Sequence, residues 1–119
     1  MTEAEKYVFE VWKNKRDQAI VNKLKDELLN VAAWIKINEK RLKIAENEIP
    51  DIMEKALEYI IKKDKHHEIQ FDERMEEISN MIREAINKTI LWIVENQDWL
   101  GINSFAEIPQ TIINAIKHL

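Results

Sequence analysis

The sequence predicts an all-α protein, an antiparallel long-helix hairpin or helical bundle with short N- and C-terminal helices, and three observations carry that reading. Leu24, Leu28, Val31, Ile35, Leu42, Ala45, Ile49, Ile52 and Ala56 recur on steps of four and three residues, interrupted by Asn38 at the centre. Steps of that size line one face of a helix and build a seam between helices. Phe71, Met75, Ile78, Ile82, Ala85 and Trp92 repeat the stepping, so a second long helix can pack back along the first. The 119 residues include one glycine and two prolines, too few turn formers for a β-rich domain. A chain of this length suits a single helical domain, 1–119, with a core that needs no disulfides.

Taken in order, Thr2 and Glu5 form a capping box that starts a helix over about residues 3–15, with Tyr7, Val8, Val11 and Trp12 as a short apolar face. No glycine or proline separates it from the next segment, so this helix either runs on or bends near Asn14–Asp17; the bend is the preferred reading, with Asp17 as the cap candidate. The striped helix then runs from about Asp17 to Asn47 and stops or kinks before Pro50, which lacks an amide donor and crowds the preceding turn. Asn38 has two readings, a register device between helices or a polar site at a bend. Lys62 to Gln70, the most polar segment, reads as an interhelical loop, and Asp72 is placed to cap a helix over about 72–96. Leu100-Gly101-Ile102-Asn103 reads as a turn, and Ser104 with Glu107 as a second capping box. A last helix comes after it, entered at Ser104 or only at Pro109. No internal repeat of a solenoid type is expected.

Charge is uneven along the chain. Residues 85–119 carry only Lys88, Glu95, Asp98, Glu107 and Lys117 of the 40 charged side chains. Their apolar residues cover more than one helical face, so one intrachain contact does not hide them all. The net charge of −4 gives no overall positive field for nucleic acid. The Ile, Lys and Glu content resembles hyperthermophile usage. No apolar run approaches the 18 to 20 or so residues that span a bilayer. Met1 to Lys6 lacks the basic and apolar stretches of a secretory signal, and the expected setting is the cytoplasm.

Most chemistries lack their residues. Without cysteine there are no thiolate metal sites, iron–sulfur clusters or thiol nucleophiles, and one glycine cannot write a phosphate-binding or dinucleotide loop. His66 and His67 are adjacent and diverge by about 100° on a helix, which suits a solvated loop better than chelation. Ser79 and Ser104 lack a nucleophile-elbow context. No metal, no cofactor and no enzymatic activity are expected.

Two function classes remain. The first is a non-enzymatic helical interaction or oligomerisation module, a small subunit or adaptor that forms a homodimer by burying Leu91, Trp92, Trp99, Phe105, Ile112 and Ile116. The second is a nucleic-acid-associated regulator or small subunit of a nucleoprotein complex that tracks phosphates with Lys36, Lys40, Lys43, Lys62, Lys63 and Lys65. Glu39, Glu46 and Glu48 interleave with the first three lysines, as in ordinary intrahelical pairing. The stretch Leu100 to Glu107, with Ile112 and Ile113 after it, is similar over about twenty residues to the turn and second helix of archaeal ribbon-helix-helix DNA-binding proteins. Pro109 departs from that pattern and no basic strand precedes the helices, so no family is assigned.

Overall fold

The computed structural model describes residues 2–62 and 73–119, and the described residues contain helices and no strand. Helix α1 spans Glu3–Ile37, α2 Glu39–Leu42, α3 Ile49–Lys62, α4 Glu73–Glu95, α5 Gln97–Leu100 and α6 Ile108–Lys117, with 3-10 turns at Glu46–Glu48 and Phe105–Glu107. The fold is all-α, and the long α1 packs against α4. The chain forms two compact units, one of Met1–Lys25 with Thr89–Leu119 and one of Asp26–Lys88.

In the Asp26–Lys88 unit, Leu28, Val31 and Ile35 of α1 are buried together with Leu42, Ile44, Ile49, Ile52 and Ala56, and with Met75, Ile78, Ile82 and Ala85 of α4. In the other unit Ile20, Val21 and Leu24 of α1 share the core with Ile93, Leu100, Ile102, Ile108, Ile112 and Ala115. The four-and-three stripe is therefore a core stripe except at Ala45, which is exposed in the extended link before the first 3-10 turn.

Two expected boundaries are corrected. No bend separates residues 3–15 from the rest of the helix, because α1 is continuous to Ile37; neither glycine nor proline interrupts it, and Asp17 pairs sideways with Arg16 instead of capping. The striped helix ends at Ile37, ten residues before Asn47. Asn38 leaves helical geometry at φ −101° and ψ 17°, and its Nδ2 donates to the Trp34 carbonyl at 2.9 Å. That bond captures an acceptor at the helix end and makes Asn38 the polar residue of a bend. Pro50 sits in the first turn of α3, where a missing amide costs nothing. At the second capping box Ser104 Oγ accepts from Ala106 N at 3.2 Å, and the Glu107 carboxylate from Asn103 N at 3.3 Å. These bonds open the 3-10 turn, and α6 starts afterwards with Pro109 in its first turn. The Asp72 cap and the Lys63 to Gln70 loop lie outside the described residues.

The structure also shows an internal repeat that is not of a solenoid type: one motif is used twice. Trp34, Ile35, Asn38, Leu42 and Ile44 recur 58 residues later as Trp92, Ile93, Asn96, Leu100 and Ile102. After one inserted residue, Glu48, Ile49, Pro50 and Ala56 recur as Glu107, Ile108, Pro109 and Ala115. The backbone repeats with the letters. Asn96 stands at φ −113° and ψ 18°, and its Nδ2 donates to the Trp92 carbonyl at 2.8 Å, as Asn38 does to Trp34. A four-residue helix comes next in both copies and ends on a left-handed residue, Lys43 at φ 55° or Gly101 at φ 66°. The amide after that residue then folds back, Ile44 N to Glu39 O and Ile102 N to Gln97 O. Burial carries the match into the long helices, where Ile20, Leu24, Val31 and Ile35 correspond to Ile78, Ile82, Thr89 and Ile93.

Each unit thus holds one copy of the turn motif and a helical segment that belongs to the other copy's long helix. That segment supplies the donor for the turn's loose carbonyls. In the Asp26–Lys88 unit Arg74 Nη1 donates to the carbonyls of Leu42 and Lys43, at 3.2 and 3.1 Å. In the other unit Trp12 Nε1 donates to the carbonyl of Trp99 at 3.2 Å. An indole is bulkier than a guanidinium stem, and this explains the one position where the left-handed residue must be glycine: a Cβ on residue 101 would lie 2.8 Å from Trp12 Cη2.

Ser79 is fully buried and its hydroxyl has no hydrogen-bond partner among the described residues, whereas the matching position of the first copy is Val21. A desolvated, unpaired hydroxyl costs about 1–3 kcal/mol. Ser79→Ala is therefore expected to stabilise the protein by about 1 kcal/mol in urea unfolding, with an unchanged m-value; a loss of stability would show that Ser79 is paired in solution.

Candidate interaction surface

None of residues 2–19 is buried, although α1 begins at Glu3 and its first four turns contain Tyr7, Val8, Phe9, Val11 and Trp12. Trp12 is half-buried against the turn, while Tyr7, Val8 and Phe9 remain exposed at 70%, 66% and 51%. The residues of α1 that enter a core begin at Ile20, and among the described residues the apolar face before it meets the end of the second turn motif through Trp12.

Aromatic rings extend this face across the unit. Phe9 and Trp12 lie 5.8 Å apart between ring centroids, Trp12 is bonded to the Trp99 carbonyl, and Trp99 meets Trp92 edge-on at 6.1 Å. Trp99 Nε1 donates to Asn96 Oδ1 at 2.8 Å, which fixes the exposed indole to the motif's own asparagine. A shallow apolar depression lined by Ala4, Glu5, Val8, Phe9 and Trp12 runs along α1 beside them. Arg16 stacks over the Trp12 ring at 5.4 Å.

The six residues expected at a partner surface separate into three groups. Leu91, Trp99 and Phe105 are exposed, Phe105 at 68%; Trp92 and Ile116 are half-buried. Ile112 belongs to the core of its own unit and presents nothing to a partner. Its periodic partners Ile108 and Ala115 are buried with it, because they form the inward face of α6. Sequence spacing leaves out Phe9. The signal for it is the run of apolar residues at 7, 8, 9, 11 and 12, too wide for one inward stripe.

Four of the six lysines of the second function class fall within the described residues. Lys36 Nζ pairs with Glu46 at 3.1 Å, and the neighbouring Arg41 pairs with Glu77 at 2.9 Å while stacking on Trp34. Lys40 and Lys43 are exposed, the latter in the left-handed turn. Lys62 ends α3, and Lys63 and Lys65 lie outside the described residues. Acidic partners reduce the local field that phosphate tracking needs. Among the described residues no helix is long and apolar enough to cross a membrane. Comparison with family models, curated proteins and solved structures gives no match.

Proposed function

We propose that this chain is a non-enzymatic helical interaction module that assembles with a second copy of itself through the apolar surface of the unit formed by Met1–Lys25 and Thr89–Leu119. The observation that carries the reading is the position of the uncovered apolar side chains. Tyr7, Val8, Phe9, Val11, Leu91, Trp99, Phe105 and Leu119 are all in that unit, while the described residues of the other unit expose only Leu29 and Ile37 among large apolar side chains. No residue of α1 before Ile20 is buried, so the apolar face of residues 3–19 gains from a partner helix.

Magnitudes agree with a reversible dimer. Covering half a dozen such side chains on each copy yields on the order of 10–20 kcal/mol, and association costs about 4–15 kcal/mol. A micromolar dissociation constant, about 8 kcal/mol, lies within the range of that surplus. The double variant Val8→Glu/Phe9→Glu places two charges on the centre of the face. It is expected to raise the dissociation constant at least 100-fold by light scattering while helix content stays unchanged, since neither side chain is in a core. Leu29→Glu, equally exposed but in the other unit, is expected to leave the dimer intact. Equal loss of assembly in both variants would place the interface elsewhere.

A further inference from the structure

The two copies of the motif differ at the face shared by the long helix and the helix that begins with Ile-Pro. In the Asp26–Lys88 unit these positions carry apolar side chains: Met75 and Ile52 are both buried, and Tyr59 is half-buried further along α3. The matching residues of the other unit are Asp17, Thr111 and His118, and there the groove is an open cleft of about 760 Å³ between α1 and α6. The scaffold does not require polar residues at these positions, because its other copy carries buried Met75 and Ile52 at two of them. Replacing a buried Met or Ile by Asp or Thr gives up core burial, so the cleft costs stability that the fold alone does not explain.

The shared arginine changes its role in the same way. Arg74 is engaged by the turn carbonyls of its unit. Its counterpart Arg16 is released from that task, because Trp12 caps the turn instead. Arg16 turns to the cleft wall, stacked on Trp12 and held by Asp17 Oδ1 through Nε at 3.2 Å and Nη2 at 3.1 Å. Its side chain is only 25% exposed, so its remaining guanidinium donors work in a partly desolvated setting. Lys13, Asn14 and Gln18 line the same wall, and Asn114 and His118 the opposite one. Among the described residues Asp17 is the only acid in the lining, against the two basic side chains Lys13 and Arg16. The His118 ring is fixed by a 2.7 Å bond between Nδ1 and the Asn114 carbonyl.

We infer that the α1–α6 cleft binds a small molecule bearing an oxyanion, a phosphate or a carboxylate, with Lys13 and Arg16 as the charge-bearing contacts and the amides of Asn14, Gln18 and Asn114 setting its orientation. The volume is that of a small-ligand site, and a guanidinium with a neighbouring ammonium suits a planar or tetrahedral oxyanion. The test is titration of the ¹⁵N-labelled full chain with inorganic phosphate and, separately, with citrate, at ionic strength held constant with sodium chloride. Saturable shifts confined to the amides of residues 13–21 and 111–118 are expected, and whichever anion saturates first identifies the group. Lys13→Gln/Arg16→Gln is expected to weaken binding at least tenfold. Lys13→Gln alone, at an exposed site that does not bear on folding, is expected to weaken it about threefold. Shifts that never saturate, that chloride reproduces, or that the variants leave unchanged would overturn the assignment.

Discussion

Gly101→Ala is expected to destabilise the protein by about 2–3 kcal/mol, whereas Lys43→Gly at the equivalent turn is expected to stabilise it by up to about 1 kcal/mol. Both residues have positive φ, 66° and 55°, a conformation that costs an L-residue about 1–2 kcal/mol and glycine almost nothing. Lys43 already bears that cost, so removing its side chain recovers it, less the entropy that glycine adds to the unfolded chain. Alanine at 101 adds the same backbone cost and a contact of 2.8 Å with Trp12 Cη2. The ring cannot swing away freely, because its Nε1 is bonded to the Trp99 carbonyl. Urea unfolding of both single variants, together with Trp12→Ala and Trp12→Ala/Gly101→Ala, separates the two costs. Without the indole, alanine at 101 is expected to cost only the backbone share, about 1 kcal/mol. An equal cost with and without Trp12 would show that the ring does not dictate the glycine.

A cut in the segment 63–72 is expected to leave the two fragments in one folded particle. Each compact unit takes a piece from either side of that segment: residues up to Lys25 with residues from Thr89 onward, and Asp26–Lys62 with Glu73–Lys88. Ile20, Val21 and Leu24 are buried in the unit that holds the end of α4 with α5 and α6, and Leu28, Val31 and Ile35 in the unit that holds Met75, Ile78 and Ile82. A fragment alone would expose one side of both cores. At about 1.5–3 kcal/mol for each fully buried apolar side chain, that loss exceeds the whole stability of an ordinary domain. The check is a protease site inserted between residues 65 and 70. After cleavage, the fragments are expected to co-elute with helix content preserved, and each fragment refolded alone is expected to lose more than half of its helix signal. Fragments that separate and stay helical would mean that each half folds independently.

Much of this architecture can be read from the letters, and the errors have physical causes. Spacing places Leu24, Leu28, Val31, Ile35, Leu42, Ile49, Ile52 and Ala56 in the core because burial depends on facing direction, and the direction survives the break at Asn38 and Lys43. That survival hides the break itself: a stripe that stays in phase conceals the α2 link beneath it. The repeat is hidden differently. Its fixed points are Trp-Ile, Asn, Leu, Ile and Ile-Pro, but Lys, Glu and Arg fill the first copy between them while Trp, Gly, Ser and Phe fill the second, and one inserted residue shifts the register. The surface is half legible. Exposed Leu91, Trp99 and Phe105 agree with an apolar tail that exceeds one helical face, but spacing alone does not separate them from Ile112, whose burial depends on which side of α6 meets α1. The cleft residues give no sequence signal, since Lys13, Arg16, Asn114 and His118 converge only through the packing of α6 beside α1.

Sedimentation equilibrium of the unmodified chain over a dilution series tests the role given to the uncovered apolar surface most directly. The expected result is a concentration-dependent average mass that rises from the 14.2 kDa of one chain toward twice that value, with a midpoint near micromolar. A mass of 14.2 kDa at every concentration, up to hundreds of micromolar, would contradict it.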